Sequence, residues 1–266
     1  MEFLHSFVFP SPSPVITVMS ALMLMLPARS AILEATGKNL EYSKFGRSRT
    51  KSTSSPGKKM VPSRFGFLCV YIPTFLASAL SLWAYCYDDS RICLVTFAFS
   101  LMFLKRITEV LFVHKYSGQM AAKSLIQMFL GYFLSTVSVI YTQKLNQGFQ
   151  EPSIDLRTLG GVLFLAGILG NFYHNYLLSG QRENEDDKEY KIPKGGLFSL
   201  VACPHYLFDI VTLLGMSCIS QTIFAVSLNV GSAFYLMGRS HSTKKWYMSK
   251  FENFPPHVKA VFPYIS

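Results

Sequence analysis

The chain has 266 residues, of which 50% are hydrophobic and only 15% are charged. A soluble domain of this length would carry about 25% charged residues, and here the charges concentrate in short segments between long apolar stretches. The composition therefore argues against an ordinary soluble enzyme. It predicts a single all-α integral membrane domain, residues 1–266, in which each helix needs roughly 20 apolar residues to cross the hydrocarbon core.

The formal net charge of +10 is distributed unevenly. Residues 34–64 hold many cations and only two acids, Glu34 and Glu41. Nucleic acid is one partner for such a basic run, but a basic loop between two apolar spans is more simply a cytoplasmic loop that follows the positive-inside rule. We therefore expect a membrane, and no nucleic acid, as the partner of this segment.

The first apolar run, about residues 7–33, predicts a first span that is interrupted near Pro27. Only Glu2 and His5 precede it, so the basic n-region of a cleaved signal peptide is missing and that alternative is disfavoured. A second span is predicted at about residues 65–87. The acidic turn Asp88-Asp89 that follows suits the non-cytoplasmic side.

A third span starts near Ile92 and runs into Lys105, Arg106 and Glu109. Because Lys105 and Glu109 are four residues apart, they lie on one face of a helix. The two adjacent cations cannot both face lipid without snorkelling. The stretch is either the charged cytoplasmic end of a helix or a functional element, and by itself it leaves both open.

Four more spans are predicted, at about residues 125–141, 159–178, 197–215 and 221–237. Small residues in the fifth span would let another helix approach closely: Gly160, Gly161, Ala166, Gly167 and Gly170. No G-x-G-x-x-G follows a strand, so no Rossmann fold is expected. Counting about seven transmembrane helices from the basic loop gives a luminal N-terminus and a cytosolic C-terminus.

Five cysteines make an odd count, and none shows the paired spacing of a zinc site. Most of them lie within or beside apolar runs. We expect reduced, packed thiols and no metal.

Polar side chains gather at the predicted cytosolic ends of the last three spans. Taken singly, Asn171 or His174 is most simply explained by a hydrogen bond to a neighbouring helix. Taken together, the set has the features of a nucleotide site, because arginine forks suit phosphate oxygens and a Gly-Gly pair after a proline permits close backbone approach. The set comprises Asn171, His174, Arg182, His205, Tyr206, Asp209 and Arg239.

These residues resemble the steroid 5α-reductase family, with its enoyl-CoA and polyprenol reductase relatives. The resemblance is dense over residues 115–266 and rests on elements in fixed order: Gly170-Asn171-Phe172, Ile192-Pro193-Lys194-Gly195-Gly196, Cys203-Pro204-His205-Tyr206, and the tail from Arg239 through Trp246-Tyr247 to Phe262-Pro263. It implies a multi-pass enzyme of the endoplasmic reticulum membrane that transfers hydride from NADPH to a polarised C=C bond in a lipid. The nucleotide-site positions that it implies are Asn171, Arg182, His205, Asp209, Arg239 and Tyr247.

The N-terminal half departs from the steroid enzymes. Where they have a Glu and a Tyr that polarise the substrate, this chain has Tyr71 and Phe103. The stretch from Lys105 to Lys115 resembles instead the very-long-chain enoyl-CoA reductase branch, in which a Lys and a Tyr matching Lys105 and Tyr206 look catalytic. Tyr206 would act as an acid toward the α-carbon or would polarise the carbonyl oxygen.

Three functions stay open at this point. The leading one is an NADPH-dependent ene-reductase of an acyl or isoprenoid lipid, with other lipid-biosynthesis enzymes as further partners. The second is the same reaction on a 3-oxo-4-ene steroid. The third is a catalytically weakened paralogue that only binds lipid or partner enzymes. Apolar pocket walls satisfy many lipids, so the sequence does not name the substrate.

Overall fold

The computed structural model describes residues 6–38, 40, 45, 59–116, 118–181 and 191–264. In these ranges each predicted span overlaps one long helix, with bounds that differ most for the last two: α1 (Pro14–Ala35), α2 (Ser63–Tyr85), α3 (Ser90–Thr108), α4 (Ala122–Leu145), α5 (Arg157–Gly180), α6 (Pro204–Ser220) and α7 (Ile223–Lys250). The helical class is confirmed. Three of the helices, α1, α2 and α4, are long and apolar enough to cross a membrane, which supports an all-α membrane protein. Seven crossings and their orientation remain predictions.

Side-chain caps fix where several helices begin. The Ser13 hydroxyl accepts the Ile16 N–H at the start of α1, where Pro14 takes the first helical position. The predicted interruption at Pro27 is wrong, because α1 continues through that residue. A helix packed against neighbours tolerates the lost hydrogen bond, and α1 lies along α7.

Glycines let two helix pairs approach closely. A Cβ added at Gly160 of α5 would lie 2.7 Å from the Ile219 backbone nitrogen of α6. One added at Gly231 of α7 would lie 2.6 Å from the Met23 carbonyl oxygen of α1. The close approach predicted for the fifth span is therefore confirmed, with α6 as its partner.

Three main-chain bridges join connections that are distant in sequence. The strands β1 (Met60–Pro62) and β2 (Gln119–Ala121) pair antiparallel, just before α2 and α4 respectively. Phe9 pairs with Thr222, and the Phe9 N–H donates to the Gln221 carbonyl at 2.8 Å. Val201 pairs with Lys259 of the C-terminal segment.

Cys86 and Cys93 form a disulfide across the turn between α2 and α3. The expectation that all cysteines are reduced is wrong for this pair, because the tight turn brings the two Cα atoms to 4.2 Å. Cys69, Cys203 and Cys218 are not in a disulfide among the described residues, as expected. A disulfide is favoured in an oxidising compartment such as the lumen of the endoplasmic reticulum.

Beside the disulfide, Arg91 is fully buried in a polar cluster. Its guanidinium pairs with Glu151 and donates to the Ile219 carbonyl at 2.8 Å and to the Gln221 side-chain oxygen at 2.9 Å. The Phe9 ring covers it at 5.3 Å. This cluster ties the N-terminal lead-in, α3 and the turn between α6 and α7 into one end of the bundle.

Candidate active site

A cavity of about 290 Å³ lies between two groups of helices. One wall is mainly aromatic and comes from α2, α4 and the connection after α3, with Phe67, Tyr71, Tyr116, Met128 and Tyr132. A second part of the lining comes from α5, α6 and α7, with Asn175, Leu178, His205, Tyr206, Asp209, Tyr235 and Tyr247. Arg106, Lys115 and Lys191 add positive charge. One side of the cavity thus suits an apolar molecule and the other a polar one.

The predicted site residues His205, Tyr206, Asp209 and Tyr247 line this cavity together. The first three share one face of the first turns of α6, which starts at Pro204. The His205 and Tyr206 rings lie 4.3 Å apart between centroids. Tyr247 stacks on Phe254 of the C-terminal segment at 5.4 Å, which fixes its ring orientation.

Lys105 and Asn171 lie in a buried polar network and are not among the described residues that line the cavity. Lys105 pairs with Glu109 at 2.9 Å and donates to the Asn171 side-chain oxygen. The Asn171 amide donates to the His205 carbonyl at 2.8 Å. Lys105 and Asn171 therefore support the His205-Tyr206 turn through hydrogen bonds.

The cavity cation closest to this network is Arg106. Its guanidinium pairs with Asp209, a predicted nucleotide-site residue, and lies 3.7 Å from Glu109. Glu109 is fully buried and accepts an N–H from Asn175 at 3.0 Å. It opens a π-helical turn, Glu109–Val113, of the kind frequently found at functional sites.

The two positions where the resemblance implies polarising groups in steroid enzymes, Tyr71 and Phe103, lie differently with respect to the aromatic wall, since only Tyr71 is among the described residues that line the cavity. Tyr71 lines the cavity, and its ring lies 5.7 Å from that of Tyr132 and 6.2 Å from that of Phe103. Phe103 is 1% exposed, and its ring packs against the rings of Phe99 and Tyr132. Burial raises the pKa of the Tyr116 phenol well above its usual range, so Tyr116 stays a neutral hydroxyl.

Arg239 is engaged elsewhere. Its guanidinium lies 2.8 and 3.0 Å from the two Glu34 carboxylate oxygens of α1, and both side chains are 2% exposed. The Phe45 ring covers it at 4.2 Å. Tyr235, one turn earlier on α7, reaches the same carboxylate at 3.4 Å and lines the cavity. Arg239 thus contacts the site through Tyr235 and its helix.

Arg182, the remaining predicted site residue, lies outside the described residues. Sequence reasoning did not single out Arg106, Glu109 and Asn175 as site residues. For Glu109 and Asn175 the sequence did carry a signal. Glu109 is four residues after Lys105, and Asn175 is four residues after Asn171, so each pair places two polar side chains on one helix face. Reading both pairs together would have predicted a buried network between α3 and α5.

The chain is similar in sequence to proteins described as reductases. It is 36% identical over 108 residues to a steroid 5-alpha-reductase of Solanum lycopersicum, covering 40% of this chain and 41% of that protein. It is 36% identical over 116 residues to a polyprenal reductase of Arabidopsis thaliana, covering 41% and 35%. A protein of Trypanosoma brucei brucei described as a candidate enoyl-CoA reductase is 32% identical over 146 residues, covering 54% and 48%.

The matched stretches span less than half of each of these relatives. The sequence profile described as 3-oxo-5-alpha-steroid 4-dehydrogenase matches residues 118–266, which is more than half of the chain. That range contains α4 to α7 and the cavity wall with His205, Tyr206 and Asp209. By this match, the chain belongs to the 3-oxo-5-alpha-steroid 4-dehydrogenase family.

Proposed function

We propose that this protein is an NADPH-dependent reductase of a polarised C=C bond in a lipid, of the enoyl-acyl or isoprenoid type. The observation that carries the proposal is the cavity that Tyr206, His205 and Asp209 line together with aromatic side chains of α2 and α4. Bound nucleotide would supply the hydride. The chain would supply orientation, an acid and a surface for the apolar chain.

The donors around the cavity fit a phosphorylated dinucleotide. Lys191 and Arg106 line the cavity, and Lys194 is exposed beside it in the loop that Gln181 holds through the Lys194 carbonyl at 3.1 Å. Gly195 is exposed and has a φ of 88°, a conformation that favours glycine, and its lack of a side chain allows close approach of a phosphate to the backbone. The aromatic ring of Tyr247 offers a flat surface at the same wall.

The chemistry of this chain would centre on Tyr206. A phenol can donate a proton to the α-carbon while hydride reaches the β-carbon, or can hydrogen-bond the carbonyl oxygen as charge builds there. Asn171 and Lys105 hold the turn that carries it. Neither step requires the Glu and Tyr of the steroid enzymes, which supports an acyl or isoprenoid substrate.

Two other functions compete with this one. A 3-oxo-4-ene steroid reductase is favoured by the steroid 5-alpha-reductases among the relatives. A catalytically weakened lipid-binding paralogue is favoured by Phe103 and Tyr71 at the steroid polarising positions. The test incubates purified protein with NADPH and a panel of enoyl-CoA, polyprenal and 3-oxo-4-ene steroid substrates, following the nicotinamide absorbance. Turnover of none of them, with intact NADPH binding, would support the paralogue.

Nucleotide choice gives a direct prediction. We expect NADPH to bind roughly tenfold or more tightly than NADH, since a hydrogen bond from a cation to the extra phosphate contributes about 1.5–3 kcal/mol. Lys194→Met should reduce this preference and leave NADH affinity nearly unchanged. Lys123→Met, an exposed cation at the start of α4, serves as the control. Equal affinity for the two nucleotides in the parent protein would contradict the site drawn here.

Orientation gives a second prediction. The disulfide between Cys86 and Cys93 favours a luminal position for the turn between α2 and α3, and the basic segments favour a cytosolic C-terminus. Ser249→Cys should therefore react with an impermeant thiol reagent added to the cytosolic face of sealed microsomes. Ser153→Cys should react only after the membrane is opened. The reverse pattern would invert the proposed topology.

A further inference from the structure

His174 is a buried side chain that the sequence grouped with the candidate nucleotide site but that the proposed reaction does not use. It lies on α5, is 3% exposed, and stacks on the Phe208 ring at 5.1 Å and 20°. The Phe198 ring meets it edge-on at 5.8 Å. A histidine this buried costs free energy unless both ring nitrogens have partners.

Both nitrogens do have partners, and these fix the tautomer. The Nδ1 atom lies 2.7 Å from the Gly170 carbonyl oxygen, so it carries the proton and donates. The Nε2 atom then accepts the Leu197 N–H at 3.1 Å. Leu197 lies in the 3₁₀ turn Gly196–Ser199, directly after the Gly-Gly pair. The ring thus connects α5 to the loop that precedes α6.

The geometry of Gly196 follows from this contact. Its φ of 51° lies in the left-handed region, and an added Cβ would stand 2.7 Å from the His174 Nε2 atom. Any side chain at this position would displace the ring or the loop. The His174 ring in this position therefore requires a glycine at residue 196.

The loop held in this way borders the cavity. Lys191, at its start, lines the cavity, and Ile192 packs on the cluster that contains Cys203 and Tyr247. The segment 194–196 is exposed, so its backbone and the Lys194 ammonium face outward. The position of these groups relative to Tyr247 depends on where the loop is docked.

We propose that His174 is a positioning residue, which holds the Lys194-Gly195-Gly196 loop in the conformation that receives the phosphates of the nucleotide. This inference rests on the proposed nucleotide-dependent function. It assigns His174 no contact with the substrate or the nucleotide. Removing its hydrogen bond to Leu197 should therefore weaken nucleotide binding and leave the chemical step nearly unchanged.

The test compares two replacements of His174 in the full chain, purified in one detergent. His174→Phe keeps the ring between Phe208 and Phe198 but removes both hydrogen bonds. His174→Gln can return an acceptor to the Leu197 N–H. We expect His174→Phe to raise the Kd and KM for NADPH roughly tenfold, the effect of one lost buried hydrogen bond, with kcat at saturating NADPH within about twofold of the parent. His174→Gln should recover most of that loss.

Gly196→Ala should act on the same loop, so its effect should not multiply with that of His174→Phe. The double variant should bind NADPH about as weakly as either single variant. His241→Phe makes the same change at an exposed histidine of α7 and should leave Kd unchanged. Multiplicative effects, or a loss of kcat without a change in KM, would overturn the proposed role.

A readout without nucleotide separates this inference from the proposed function. Trypsin cleavage after Lys194, followed by mass spectrometry, should be slow in the parent and several-fold faster in His174→Phe and Gly196→Ala. If the parent does not bind NADPH, the proposed function fails whatever the cleavage result. If cleavage after Lys194 is equally fast in all variants, the loop is not held by His174 and this inference fails.

Discussion

Tyr206→Phe is expected to lose roughly 10²–10⁴-fold in turnover, the usual contribution of general acid catalysis. The change removes one hydroxyl and keeps the ring that packs with His205 and lines the cavity. NADPH affinity and thermal stability should therefore stay close to those of the parent. The measurement is kcat with the substrate found in the lipid panel, together with Kd for NADPH.

Lys105→Met provides the companion measurement. Lys105 acts on the turn carrying Tyr206 through Asn171 and also neutralises the buried Glu109. We therefore expect lower turnover accompanied by lower stability, unlike the Tyr206 variant. A Tyr206→Phe protein that is stable, binds NADPH and reduces lipid at the parent rate would remove Tyr206 from the mechanism.

Breaking the ion pair between Glu34 and Arg239 is expected to have the largest effect on stability. Each side chain is 2% exposed, so removing one takes this counter-ion away from a buried charge. Such a loss costs about 3–5 kcal/mol, which corresponds to a melting temperature lower by roughly 6–20 °C for a domain of this size. Glu34→Leu and Arg239→Met should each show it in a thermal unfolding experiment.

The double variant Glu34→Leu with Arg239→Met should recover most of this stability, because it buries two apolar side chains in place of two charges. It also separates two roles of Arg239. If Arg239 binds nucleotide, the stable double variant will still bind NADPH weakly. If Arg239 serves only to join α1 to α7, affinity will return together with stability. Equal stability of the single variants and the parent would rule out the pair as a structural element.

The apolar runs sufficed to predict the helices, because a 20-residue apolar stretch has few alternatives in a membrane. The clustering of His205, Tyr206, Asp209 and Tyr247 followed from the motifs. The partner of Arg239 could not be predicted, since Glu34 lies 205 positions away and only the packing of α1 on α7 brings it close. The disulfide was missed for a related reason, because the turn geometry that joins Cys86 to Cys93 leaves no mark in their spacing.

The three main-chain bridges restrict how many times the chain can cross a bilayer. Two hydrogen-bonded segments must lie on the same side, so an even number of crossings separates them. The β1–β2 pair therefore requires an even number of crossings among α2 and α3. The Phe9–Thr222 bridge requires an even number among α1 to α6. The Val201–Lys259 bridge requires an even number among α6 and α7.

If α1, α2 and α4 cross, as their length and apolarity allow, then α3 must cross as well, despite its charged end. The helices α5, α6 and α7 must then cross together or not at all. Under this condition the three bridges allow four or seven membrane crossings and exclude five and six.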